Sequence, residues 1–261
     1  MKARVVPALR GAQWLLEGVR LFLSAPLGWL MISFGYLLLV VLVSAIPKIG
    51  APLVLLLYPG FTAGFLIASR SSAMRQPVEL PMLISGFRER AAQQFALGGA
   101  YIGGIGLALL GSWLADDGAL LRMLQGGPDA AQRQRDAQEV GRGALAAMLL
   151  YLPTFMMIFY APVLTAWHGT RPAKSLFFSF VACLLNWRAF LLYVGIGILL
   201  MVVLINIIII VALSMAGAEA RANPAGLVPV LAPALLLFTL PVMMTSAYAS
   251  YRDVFGAREG A

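Results

Sequence analysis

Two residue types that build most redox and metal sites are almost missing: Cys183 and His168 are the only cysteine and histidine among 261 residues. A lone cysteine closes no intramolecular disulfide, and zinc or haem sites built on cysteine or histidine lack their ligands. Charge is scarce too: 11% of residues are Asp, Glu, Lys or Arg, against roughly a quarter in soluble domains. No phosphate loop is present, since Gly103-Gly104-Ile105-Gly106 lies inside an apolar run with no preceding strand and no Lys-Ser or Lys-Thr after it. Ser/His/Asp catalysis would have to recruit His168, for which no supporting motif exists. The sequence therefore reads as a non-enzyme that calls for no cofactor.

Apolar runs fill the space that charge leaves. Hydrophobic residues make up 61% of the chain, and they gather into spans at about 27–46, 51–69, 95–114, 144–167, 189–213 and 226–248. The longest, 189–213, would be ~37 Å long as a helix, enough to cross a ~30 Å hydrocarbon core with some tilt. Val43-Ser44-Ala45 imitates a leader-peptide cleavage site. The apolar run before it is longer than such leaders carry, so an uncleaved first span is expected.

Ahead of three spans stand shorter striped segments. Residues 8–24 place Arg10, Gln13, Glu17, Arg20 and Ser24 on one stripe, with Trp14, Leu15, Val19 and Phe22 among the apolar remainder. Residues 81–94 set Ile84, Phe87 and Ala91 opposite Ser85, Arg88 and Glu89, and residues 175–186 lead into Trp187-Arg188. Each reads as a helix lying in the membrane interface. The expected fold is all-α: a polytopic membrane protein of six transmembrane helices in three hairpins, each preceded by an amphipathic interfacial helix. Residues 1–261 would form one integral membrane domain, with a hydrophilic outer loop at 116–142.

The pattern of interfacial helix, span, proline-bearing span and arginine exit occurs at 8–70, 81–171 and 172–252, with Pro59, Pro162 and Pro241 expected to break the even-numbered spans. Either three true repeats or generic hairpins with basic flanks would produce it. Thirteen Lys and Arg against five acids fall on the side of the termini, and six against six on the other, which places both termini in the cytoplasm. All five tryptophans lie at span ends or on the first striped helix, as an interfacial belt requires. The net charge of +8 thus follows topology, and no nucleic-acid partner is expected.

Within the spans no Asp, Glu, Lys, Arg or His occurs, which argues against an ion-coupled transporter. Asn206 is the candidate intramembrane polar residue, either lining a solute path or bonding a neighbouring helix. The basic residues of the striped segments, Arg10, Arg20, Arg88, Arg90, Lys174 and Arg188, are candidate contacts for anionic lipid. Asp116, Asp117, Asp129, Asp136 and Glu139 could gather a divalent cation, although a solvated loop balanced by arginines is the simpler expectation.

Several local stretches carry a resemblance: Arg4-Val5-Val6-Pro7 with Gly11-Ala12-Gln13-Trp14-Leu15, then Pro59-Gly60-Phe61-Thr62-Ala63-Gly64, Ser179-Phe180 with Asn186-Trp187, and Tyr248-Ala249-Ser250-Tyr251-Arg252-Asp253-Val254-Phe255-Gly256. On these the whole chain resembles the uncharacterised six-span inner-membrane protein family of beta-proteobacteria. That resemblance implies an inner-membrane location and brings no catalytic or ligand residues. The expected role is a non-enzymatic scaffold or lipid-associated component whose partner is the bilayer, including anionic lipids. The alternative is a permease or channel for a small neutral or amphipathic solute.

Overall fold

Hydrocarbon offers no water to an open backbone, so an apolar run that crosses it must satisfy its amides within itself. The computed structural model describes residues 3–88, 90–124, 130–215 and 228–256, and the backbone alone at 130–139, 213, 215 and 228–231. Among the described residues there are helices and connecting turns and no strand. The helices are α1 (Arg10–Ser24), α2 (Pro26–Ser44), α3 (Gly50–Ala73), α4 (Ser85–Arg88) after a 3₁₀ turn at Leu80–Ile84, α5 (Ala91–Asp116), α6 (Ala119–Leu124), α7 (Ala130–His168), α8 (Pro172–Leu185), α9 (Trp187–Met215) and α10 (Val228–Phe255). Six of them, α2, α3, α5, α7, α9 and α10, are long and apolar enough to cross a membrane.

The same joint is built three times. Just before each span stands a residue of non-helical geometry: Ala25 (φ −148°, ψ 57°), Arg90 (φ −135°, ψ 33°) and Asn186 (φ −107°, ψ 23°). Each joint carbonyl accepts the first hydrogen bond of the span that follows, from the amides of Trp29, Gln94 and Phe190 at 3.1, 3.0 and 3.0 Å. At the first joint Pro26 supplies a φ already suited to a helix start.

The joints turn each interfacial segment back into the hairpin of the preceding unit. Residues 80–88 pack between α2 and α3, α8 between α5 and α7, and α1 between α9 and α10, which closes the ring. Small residues allow the close approach. A side chain at Gly18 would strike the backbone of Val242 and Ser246, one at Gly64 the carbonyls of Met82 and Leu83, and one at Gly86 the carbonyl of Gly60. On α8 the contact is polar, with the Ser179 hydroxyl donating to the Met156 carbonyl at 2.7 Å and accepting from the Tyr160 amide at 2.9 Å. The second spans, α3, α7 and α10, meet in the middle, and the largest buried cluster lies at their basic ends around Trp14, Tyr160, Leu164, Tyr251 and Val254.

Three sequence expectations change. Pro59, Pro162 and Pro241 break nothing: α3, α7 and α10 run through them. Unwinding there would strand backbone groups in hydrocarbon, whereas a continued helix forfeits only the one bond that proline cannot donate. The second interfacial segment is divided into the 3₁₀ turn and short α4, because Phe87 turns inward against Gly60 and Phe61. The first and third do not rest on lipid alone, since each buries one side in the protein: Trp14 and Ser175 are fully buried.

Candidate functional site

The wedge formed by α1 organises both noteworthy features of this fold. Gly11, Trp14, Leu15 and Gly18 form its buried face. The indole of Trp14 meets Phe190 and Tyr193 edge-on at 5.5 and 5.9 Å. The Gly18 carbonyl accepts a 2.9 Å hydrogen bond from the Thr245 hydroxyl. These contacts fix α1 across the basic ends of α9 and α10 and hold the two spans apart, so that among the described residues they touch each other little.

A polar clamp secures the wedge. One Asp253 carboxylate oxygen accepts from Arg10 Nε at 2.5 Å and from Trp14 Nε1 at 2.7 Å. Glu17 accepts from Arg10 at 3.0 Å and also from Arg252. Burial works to lower the affinity of Arg10 for its proton. The hydrogen bond and charge of Asp253, with those of Glu17, more than offset it, so the guanidinium is held above its ordinary range. Asn186, almost fully buried, ties in the chain start: Oδ1 accepts from the Val6 amide at 2.8 Å, and Nδ2 donates to the carbonyls of Arg4 and Ala182 at 2.9 Å each.

Above the clamp, the divergence of α9 and α10 leaves an apolar groove of about 330 Å³. Leu15, Val19, Phe22 and Leu23 of α1 line its basic end. One wall is Gly197, Leu200, Met201 and Leu204 of α9, and the other Phe238, Thr239, Val242 and Met243 of α10. The single hydroxyl among these, on Thr239, is spent on the Leu235 carbonyl of its own helix at 2.9 Å. Gly197 adds no side chain, and nothing lies within 4 Å of where its Cβ would be. The lining therefore recognises length and apolarity and offers a solute no hydrogen bond.

The predicted site residues are scattered around this arrangement. Arg20 is exposed, one helical turn before groove-lining Leu23. Arg10 is held in the clamp. Arg88 is exposed on α4, and the Arg90 guanidinium lies against Gly169. Lys174 and Arg188 are exposed and sit over Phe178 and Trp187 at 5.6 and 5.4 Å. Asn206 is exposed on α9, and its Nδ2 donates to the Val202 carbonyl of its own helix at 2.8 Å. Among the described residues it joins no other helix, and it is not among the residues that line the groove. Asp116 is buried and accepts from the amides of Gly118 and Leu120 at 3.0 and 2.9 Å, which makes it a helix cap for α6. Asp129 and the side chains of Asp136 and Glu139 lie outside the described residues.

Sequence reasoning missed the pairing of Glu17 with Arg252 and of Arg10 with Asp253. Those partners are more than two hundred positions apart, and only ring closure by α1 joins them. Asn186 did carry a local signal, a lone amide at the junction of two apolar helices.

Neither a family model nor a solved structure matches the chain. A protein of Burkholderia thailandensis named "Probable inner membrane protein" is 37% identical over 264 residues, covering 97% of this chain and 94% of that protein.

Proposed function

The chain belongs to the family of the Burkholderia thailandensis inner-membrane protein, and from that premise we propose that it is a non-enzymatic, lipid-associated component of the inner membrane. Its basic face is turned to the cytoplasm, and it seats one acyl chain of an anionic phospholipid in the groove between α9 and α10. The carrying observation is the groove itself, apolar on all three sides, with α1 and its Arg20 at one end, where a headgroup would sit. Arg20 stands at that end, and a basic group near an anionic surface contributes about 1 kcal/mol. Arg88, Lys174 and Arg188 extend the same attraction around the face. A permease reading draws less support. The buried hydroxyls nearest the groove, on Tyr193, Ser246 and Thr245, are bonded to the protein, and Asn206 points outward.

Native mass spectrometry tests the lipid reading. Gly197→Phe puts a ring on the groove wall from a position whose Cβ would meet nothing within 4 Å, and Gly103→Phe adds the same ring to an exposed site on α5 with equally open surroundings at Cβ. Loss of retained phosphatidylglycerol and cardiolipin in Gly197→Phe and in Arg20→Gln, with retention unchanged in Gly103→Phe, supports the proposal. Equal retention in all three removes it, and solute flux abolished by Gly197→Phe would replace it with the permease reading. Orientation is checked separately: a reporter fused at Ala261 fluoresces in the cytoplasm, and a cysteine at Gln132 reacts with an impermeant reagent from outside.

A further inference from the structure

The two faces of α9 differ in kind. Gly197, Leu200, Met201 and Leu204 face the groove. On the opposite side Gly195, Leu199, Val202, Asn206 and Ile209 follow one another at spacings of four, three, four and three residues. That alternation keeps one straight seam along a helix, the pattern by which paired helices mesh. The seam is unpartnered: Leu199 is 61% exposed, Val202 49% and Ile209 37%. Exposure of apolar side chains alone says nothing in a bilayer, because lipid covers them as well as protein does. Asn206 is different. Seventeen apolar residues or glycines precede it and seven apolar residues follow it, which places it within hydrocarbon. Its amide makes one bond, to Val202 of its own helix, and among the described residues Oδ1 and the second N–H have no partner. Lipid tails can satisfy neither.

We propose that this seam is a homodimer interface, in which α9 of a second copy packs parallel to the first and the two Asn206 amides bond to each other. An amide is both donor and acceptor, so it complements itself about a two-fold axis along the membrane normal, and an isologous contact needs no second kind of surface. Copies of one protein inserted in one membrane already share the required orientation. A single polar residue at a seam position also selects register, since only the in-register pair brings the amides together. The seam lies opposite the groove, so pairing leaves the lipid reading untouched and either can fail without the other.

Cysteine cross-linking in native membranes tests it, with buried Cys183 as an unreactive background. Under oxidation, Val202→Cys and Ile209→Cys should give a disulfide-linked band of twice the chain mass, and Leu204→Cys, on the groove side, should not. Adding Asn206→Leu should lower the cross-linked fraction roughly threefold or more, the range expected for an interhelical bond in lipid, and Asn206→Gln should restore most of it. Among the described residues the Asn206 side chain bonds only within its own helix, so Asn206→Leu should leave the monomer folded, which circular dichroism checks. Equal linking at Leu204, no dimer band, a product of another mass, or indifference to Asn206→Leu would each overturn the proposal.

Discussion

Helices α3 and α9 are both spanning helices, yet half of the most apolar stretch of α3 is buried and none of α9's. The more apolar helix is the more exposed one. In water that order would be reversed, because burial of apolar area drives association. Lipid tails are as apolar as leucine, so apolarity gives a span no preference for a protein neighbour, and close packing and hydrogen bonds decide instead. α3 has what that requires: Gly60, Ala63 and Gly64 admit residues 80–88 at backbone distance, and Ser72 shares a 3.0 Å bond with Ser24 of α1. Among the described residues α9 makes such contacts at its basic end, through Ala189 and Tyr193, and beyond Gly197 it consists mostly of branched aliphatic side chains. Placement in the middle of the ring follows small and polar residues, and placement at its edge follows bulk.

Mutations that reverse these properties should break the contrast in a fixed order. The largest effect is expected from Gly64→Leu, which drives a side chain into the carbonyls of Met82 and Leu83. A loss of about 3 kcal/mol or more, seen as a collapse of the thermal transition in detergent, is expected from overpacking with no flexible neighbour to yield. Leu66→Ala opens a cavity beside the Trp14 cluster and should cost about 3 kcal/mol in the same assay. Asp253→Ala leaves Arg10 and the Trp14 indole without their shared acceptor, a loss of about 2 kcal/mol. Replacing Arg10 and Asp253 together by Met and Leu should recover part of it, because the cation that lost its Asp253 partner is gone.

The smallest effects belong to the outer part of α9. Ile210→Ala, at a position 65% exposed, and Asn206→Leu should each shift monomer stability by less than about 0.5 kcal/mol. A loss at Ile210 comparable to that at Leu66 would mean that α9 packs on the rest of its own chain, and the contrast would fall.

Six spans, the limits of the first five within four residues, the basic face and the interfacial segments are all legible in the sequence, because each depends on composition read locally against a slab of known thickness; the sixth, expected at 226–248, lies six to seven residues further on, at Ala232–Phe255. The continuity of α3, α7 and α10 through Pro59, Pro162 and Pro241 was not, since a proline declares its missing donor but not the bilayer's penalty for unwinding around it. Nor was the wedge. Residues 8–24 look alike whether they lie on lipid or between two spans, and Gly11 and Gly18 become contact points only when Ala189 and Val242 are brought to them. Sequence by itself determined that this chain crosses the membrane and which side of it is basic, because transfer into hydrocarbon is a property of each segment alone. Tertiary structure decided which helices touch, where α9 and α10 part to leave a groove, and that Asn206 faces outward. Those outcomes depend on pairs of distant residues whose fit no single segment encodes.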